Sequence, residues 1–473
     1  MGFLMLNPSR GFVRYIAAAV AVVFFLIVVV QIRVQQIGYG LPVQATSWPP
    51  LSTSAADDIF DFPPIESEAI KSVCAATAWD TRTAMEVVFT CENSVGGVGN
   101  IRNSVLNCVR YAMLAGGSLV MPKIVARDDS DINVIRTGER RGLGYMFDVE
   151  HFVESLRLSC PQLRLYNNTD AVFKALGQPK TFTMGLFPEL LVDKNGAPNT
   201  GITHPELWKG KLYEWLGQVD TKLGPTGQPT RGPFIVELGR SYMTFPIYSD
   251  GDGFATSFGD ILKFRADTRQ LATTTLRRMA EQFNFESALP KPVSAANITP
   301  PESPVLKNAY FGAHLRVERD AMINWSPTME MWAWSDYGKQ TTAYMEQAMN
   351  ANLSLIYVAS GETAHVETFK TEAATKGITV IKKQDVLGED IEKLDRLAWD
   401  QQALVDYLVM LKASQFGGVA HSSFAWNVAL KRHILVRDPK KSYLDGPQML
   451  SDEFSQVYGE PRKYPEYALC LWP

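Results

Sequence analysis

Cysteine is scarce, five in 473 residues, which excludes a scaffold built from disulfides. Only six histidines occur. They are scattered, and no Cys or His pair has zinc-ligand spacing. There is no Gly-x-Ser-x-Gly nucleophile elbow, no dinucleotide fingerprint and no repeat at solenoid spacing. Neither sign of charge is in surplus: Lys+Arg 46 against Asp+Glu 50 gives −4, so nothing points to a nucleic-acid partner. Two Asp-x-Asp triplets, Asp129-Ser-Asp131 and Asp250-Gly-Asp252, sit in turn-rich stretches and read as solvated loops rather than metal sites. What is present is ordinary for folded protein, 46% hydrophobic and 20% charged residues. That excludes wholesale disorder and leaves length for two or three domains.

One long apolar run stands out, Tyr15 to Val30. Extended through Ile32 at ~1.5 Å per helical residue, it can cross about 27 Å of hydrocarbon. Arg10 and Arg14 precede it and Arg33 follows, which predicts a cytosolic N-terminus. The expectation is a cytosolic tail over 1–9, a transmembrane anchor over 10–33 and a Pro/Ser-rich stem over 34–80, with the body in the lumen. A cleaved signal peptide is the rival, and no small-residue cleavage site before Gly38 supports it. Four Asn-x-Ser/Thr sequons, at Asn167, Asn297, Asn324 and Asn352, agree with a lumenal body. Cys74, Cys91, Cys160 and Cys470 could form two bridges there, with Cys108 left over; pairing is not readable from sequence.

Beyond the stem the chain alternates strand and helix. Glu86–Thr90 reads as a strand. After a loop to Asn100 comes a helix with Val105, Val109, Ala112 and Met113 on one face, ended by Gly116-Gly117 before the strand Ser118–Met121. Further units run from Leu355–Ala359 through a helix over 362–376 to Ile378–Ile381, and from Phe416–Ala420 through a helix over 423–432 to a strand His433–Val436. The Pro-rich segment 290–304 divides the two halves. The predicted fold class is α/β, two Rossmann-like doubly wound domains facing a cleft, over 81–300 and 301–473, after an N-terminal transmembrane helix.

Three constellations carry candidate chemistry. In Tyr310–Asp320, alternation puts His314, Arg316 and Glu318 on one strand face and Phe311, Ala313, Leu315 and Val317 on the other. The polar face either belongs to an edge strand in water or meets a polar substrate, for which Arg offers a diphosphate-matched fork of donors. In Gly417–Asn427, Ser422 and Ser423 stand where a helix begins. They are either a simple helix cap or part of a phosphate cradle, with Phe424 placed to lie against a base. The loop Gly96-Gly-Val-Gly-Asn100 opens the first long helix, and its glycines would let a ligand approach the backbone.

Together these motifs resemble the GDP-fucose protein O-fucosyltransferase family. His314, Arg316, Glu318 and Asp320 match its His-x-Arg-x-Glu-x-Asp run, Gly96–Asn100 its Gly-rich loop ending in Asn, and Ser422, Ser423 and Phe424 its late Ser-Ser-Phe motif, followed by Lys431 and Arg432. Tyr145–Phe152 and Tyr357–Glu362 are similar to further family segments. Ser414 stands where relatives commonly carry Asp, and Gly97 where one branch places a Glu. The resemblance implies a GT-B type glycosyltransferase that moves fucose from a GDP-sugar to a protein or glycan acceptor, with inversion and no metal cofactor. Arg316 and Asn100 would be catalytic, and Gly97, Gly99, His314, Glu318, Asp320, Asp406, Ser422, Ser423 and Phe424 would bind the donor. It implies a single-pass type II protein of the Golgi or ER membrane. A GDP-sugar-binding scaffold of the same fold without turnover is the alternative.

Overall fold

The computed structural model describes residues 58–79, 86–127, 136–178, 180–181, 183–223, 233–286, 289, 305–318, 330–436, 451–460 and 463–473. The expected anchor and residues 34–57 of the expected stem lie outside them, as do Asp320, the Pro-rich divide, Asp129, Asp131 and the sequons at Asn297 and Asn324. The stem's residues 58–79 are described and packed on the body, with a helix Glu68–Ala76 that buries Ile70 and Cys74 completely. Among the described residues no helix is long and apolar enough to cross a membrane.

In chain order the strands are β1 (Val87–Thr90), β2 (Ser118–Val120), β3 (Lys123–Val125), β4 (Arg140–Gly142), β5 (Leu165–Tyr166), β6 (Thr183–Leu186), β7 (Phe234–Leu238), β8 (Phe311–His314), β9 (Leu355–Ala359), β10 (Thr379–Ile381), β11 (Gln415–Val419) and β12 (Ser455–Tyr458). Five form one sheet in the order β5-β2-β1-β7-β6 and five another, β10-β9-β8-β11-β12, while β3 and β4 pair by themselves. Every pairing in the two large sheets is parallel. Strands β1 (Val-Val-Phe-Thr) and β9 (Leu-Ile-Tyr-Val-Ala) are short, rich in β-branched and aromatic residues, and buried on both faces, as parallel strands covered by helices must be. Each sheet starts in its middle. The chain moves outward from β1 through β2 to β5, and from β8 through β9 to β10, then crosses to the other side. The turning points are β1/β7 and β8/β11, where successive loops part and leave a crevice beyond the strands' carboxyl ends.

Helix α1 (Val98–Ala115) buries Val105, Val109, Ala112 and Met113 completely and ends at Gly116, whose φ of 70° is a left-handed cap that glycine adopts without strain. Helices α2 (Ala266–Phe283) and α3 (Trp399–Lys412) pack on each other, and α4 (Ser423–His433) packs on α1. These contacts join the first half of the chain to the second, and both sheets lie in one compact unit. The last helix, α5 (Pro465–Cys470), leads Trp472 back to the first half, where it is buried among Phe245, Phe254 and Phe258. Asn107 accepts from the Trp472 indole at 2.7 Å, and Arg102 donates to the backbone oxygens of Trp472 and Pro473.

The structure corrects three expectations. Residues 433–436 are not a strand: His433 ends α4 and a turn follows, and the strand beside β11 is β12. The helical dipole and the basic run Lys431-Arg432-His433 favour a helix C-terminus there, and Arg432 is completely buried, donating to the carbonyls of Met410, Leu411, Ala413 and Phe454. Second, β8 is no edge strand, since β9 and β11 flank it and Phe311, Ala313, Leu315 and Val317 form a dry core. Third, Cys108 is paired, with Cys91, beside a Cys74–Cys160 bridge; Cys470 is the buried free thiol. Residue Cys91 follows β1, and the loop folds back so that the middle of α1 passes it, a proximity invisible in linear order.

Candidate active site

The carboxyl ends of β1, β7, β8, β9 and β11 face a common cavity of about 410 Å³. Of the residues singled out above, Gly97, Asn100, His314, Arg316, Glu318, Asp406, Ser422, Ser423 and Phe424 line it. Residue Gly99 does not.

On the side of the first sheet, Gly97 caps α1 with extended backbone, and a Cβ there would meet nothing within 4 Å, because the cavity lies beside it. Gly96 has φ 109°, and a Cβ on it would stand 2.8 Å from Asn100 Nδ2. Only glycine therefore lets the asparagine fold back across the loop. The Asn100 Oδ1 is buried and accepts no hydrogen bond. Gly99 has a different duty. Its Cβ would lie 2.6 Å from the Ser423 carbonyl oxygen and 2.8 Å from Asn427 Nδ2, so the missing side chain is what allows the start of α1 to touch the start of α4.

On the second sheet, β8 ends at His314, and Arg316 and Glu318 follow in irregular backbone that keeps them on the cavity side. Arg316 forms an ion pair with Glu318, whose other oxygen accepts from the Gly361 N–H at 2.9 Å. Burial alone would raise the Glu318 pKa; the Arg316 charge and the Gly361 N–H overcome it and hold it near 2. Residue His314 is 8% exposed, its ring 4.6 Å from that of Phe424, and its Nδ1 has no hydrogen-bond partner. Burial pushes its pKa down to about 4, and that of neighbouring His421 to about 3. Both imidazoles are thus neutral at ordinary pH, and the positive charge of this wall resides on guanidinium and ammonium groups.

The Ser422 side chain is a helix cap, accepting from the Ala425 N–H at 3.4 Å, yet its own proton can still be donated into the cavity. Ser423 is the first helical residue, with its N–H among those the helix leaves unsatisfied. Phe424 gives one ring contact to His314 and an edge contact to Tyr407, so it supports the imidazole as well as lining the cavity. Both oxygens of Asp406 are taken, one by Tyr357 at 2.6 Å and one by Lys383. The remaining acidic triplet does not reach the cavity: Asp250 is held in a two-point ion pair by Arg110. Among the described residues no group of three or more His, Cys, Asp or Glu side chains could hold a metal ion.

Sequence reasoning missed the opposite wall. Arg240 stands two residues past β7, its guanidinium 4.3 Å over the Tyr242 ring, and lines the cavity with Tyr242, Arg127 and Tyr467. Among the described residues no carboxylate pairs with Arg240, and its Nε has no acceptor. Its position at the carboxyl end of a central parallel strand was a signal in the sequence; Tyr467 carried none, because only the returning C-terminal segment brings it there. Asp400 accepts from the Tyr145 hydroxyl at 2.6 Å, which ties the family-like segment around Tyr145 to α3.

Residues 87–435 match the family model for GDP-fucose protein O-fucosyltransferase (O-FucT). No curated protein matches the chain. Among solved structures it is similar to POFUT1 in complex with GDP-fucose, at 13% identity over 81% of this chain and 100% of that one, with a TM-score of 0.44. It is similar also to a mutant of Arabidopsis thaliana FUT1 in complex with GDP, at 12% identity over 77% of this chain and 71% of that one, TM-score 0.35. A third is the fucosyltransferase NodZ from Bradyrhizobium, at 12% identity over 74% of this chain and 93% of that one, TM-score 0.33. The match to the family model spans most of the chain, its motif residues gather at one cavity, and the protein belongs to the GDP-fucose protein O-fucosyltransferase family of glycosyltransferases.

Proposed function

We propose that the protein transfers fucose from GDP-fucose to an acceptor hydroxyl, with inversion and without a metal ion. The observation that carries this reading is Arg316 lining one cavity with the Ser422–Ser423 N-terminus of α4. Breaking the sugar–phosphate bond builds negative charge on the departing diphosphate. A guanidinium, two hydroxyl protons and unsatisfied helix N–H groups are the fixed donors that stabilise such charge, and they do so most where water is excluded. Glu318 holds the guanidinium in place, and the neutral His314 offers a lone pair to a donor hydroxyl. The Asn100 amide, with a free buried oxygen, orients the attacking hydroxyl. An amide is too weak a base to ionise it, which fits a loose transition state with late proton loss. Gly97, with open space beside it, lets the sugar approach the backbone.

Donor turnover by the full chain tests the reaction. GDP release from GDP-fucose should survive EDTA; loss of turnover in EDTA that Mn²⁺ or Mg²⁺ restores would overturn the metal-free step. A panel of GDP-sugars should give the largest rise in melting temperature with GDP-fucose, since a ligand of the folded state raises it, and a larger rise with GDP-mannose would reassign the sugar.

The same reading places the body in the lumen of the ER or Golgi, held by the segment 10–33. Two disulfides and the exposure of the sequon asparagines Asn167 and Asn352 support it. Protease added outside sealed microsomes should leave the body intact, and its digestion there would overturn the placement.

A further inference from the structure

Strand β8 stops at His314, two residues before Arg316, so a side chain rather than a strand satisfies the Arg316 backbone. Gln340 projects from the helix Tyr337–Asn350 and is completely buried. Its Oε1 accepts from the Arg316 N–H at 2.9 Å and its Nε2 donates to the Arg316 C=O at 3.1 Å. This is the reciprocal pattern by which one peptide group reads another, and the flipped amide would set donor against donor. One turn on, the buried Tyr344 hydroxyl donates to the His314 C=O at 2.8 Å and stands 3.5 Å from Gln340 Oε1. One helix face therefore grips the backbone of both motif residues, while Glu318 grips the far end of Arg316. Neither Gln340 nor Tyr344 lines the cavity.

We propose that Gln340 is a positioning residue for the reaction, setting through the Arg316 main chain where the guanidinium meets the departing diphosphate. The inference rests on the reading of Arg316 as the leaving-group cation. A guanidinium held only at its tip could still swing with its backbone, and a misplacement of about 1 Å costs on the order of 100-fold in rate. Since the added negative charge on the diphosphate is absent from bound GDP-fucose and develops only as the sugar–phosphate bond breaks, the loss falls mainly on kcat and largely spares GDP-fucose binding.

GDP release from GDP-fucose by the full chain, with GDP-fucose affinity and melting temperature measured alongside, tests this. Gln340→Leu should lower kcat by about 100-fold while the affinity for GDP-fucose changes less than about threefold. Gln340→Glu gives a sharper readout. A neutral carboxyl can accept from the Arg316 N–H and donate to its C=O, as the amide does, whereas a carboxylate can only accept. Burial raises such a carboxyl above the usual range, so kcat of the Glu variant relative to the unaltered protein should climb as pH falls through that pKa. The ionisable groups around the position are Arg316, Glu318 and His314 on the strand segment, Tyr344 on the same helix and Tyr458 of β12, whose ring lies 5.8 Å from that of Tyr344. Taking the ratio at each pH removes their own titration. A ratio that is flat with pH, or Gln340→Leu with kcat within about twofold of the unaltered protein, would overturn the inference; if the Leu variant fails to fold, the Glu variant decides. Near-normal turnover in Arg316→Lys would instead overturn the leaving-group role itself, so the two failures are distinguishable.

Discussion

Arg316 and Glu318 form a unit. A buried carboxylate held near pKa 2 is stable only while its cation remains. Arg316→Ala is therefore a compound change: turnover should fall by orders of magnitude, and the orphaned Glu318 should also cost about 3–5 kcal/mol of stability. Arg316→Lys keeps the charge and loses the planar fork; it should fold better than the Ala variant and still turn over poorly. Melting curves beside GDP-release rates check both. The motif was legible in the sequence as a polar face; that Arg316 both lines the cavity and pairs with Glu318 was decided by the fold. The histidines give a second residue-scale prediction. His314 and His421 have pKa values held at about 4 and about 3 against an ordinary 6.5. Between those limits the unfolded chain binds more protons than the folded one, so stability rises with pH and is lost as pH falls from about 6.5 toward 4, by up to about 1.4 kcal/mol per pH unit for each histidine. His421→Asn should flatten the dependence of melting temperature on pH over that window; an unchanged slope would show that the imidazole is not buried neutral.

At the scale of elements, the approach of α1 to α4 sets the width of the cavity. Gly99 makes that approach possible, although sequence reasoning assigned it to donor binding. The same glycine-rich pattern serves two physical needs, at Gly97 room for a ligand and at Gly99 room for another helix, and spacing alone does not tell them apart. Gly99→Ala should force the helix ends apart, destabilising the protein by about 1–3 kcal/mol and weakening GDP binding, whereas Gly97→Ala should leave the melting temperature nearly unchanged. Differential scanning calorimetry of the two variants separates the roles. Strands β1, β9 and β11 were readable as apolar runs between turn residues. The run 433–436 was misread because three apolar residues fit a helix-ending turn as well as a strand, and the true partner of β11 lies about twenty residues further on.

For the molecule as a whole, the two halves are tied by helix contacts and by the C-terminal segment that crosses back. Asn103 and Asn107, one turn apart on α1 and completely buried, hold this segment on one side and the backbone of Ser241 and Tyr242 on the other. The loop carrying Arg240 is thus braced by the end of the chain. Trp472→Ala would open a cavity among three phenylalanines and strip Asn107 of its donor, and should cost about 3–5 kcal/mol. Turnover below the melting temperature should fall as well, because the wall bearing Arg240 loosens; unaltered kinetics in a folded variant would show the segment to be a mere lid on the core.

By itself the sequence determined the alternation of strand and helix, the parallel sheets that follow from it, and the residue types of the donor side, because these are written in local periodicity and short motifs. Tertiary structure decided which cysteine stays free, that β8 is central, that Glu318 answers Arg316, and that Arg240, Tyr467 and Gln340 stand at or behind the site. Each of those depends on residues far apart in the chain meeting where two sheets reverse direction, and such meetings leave no local trace.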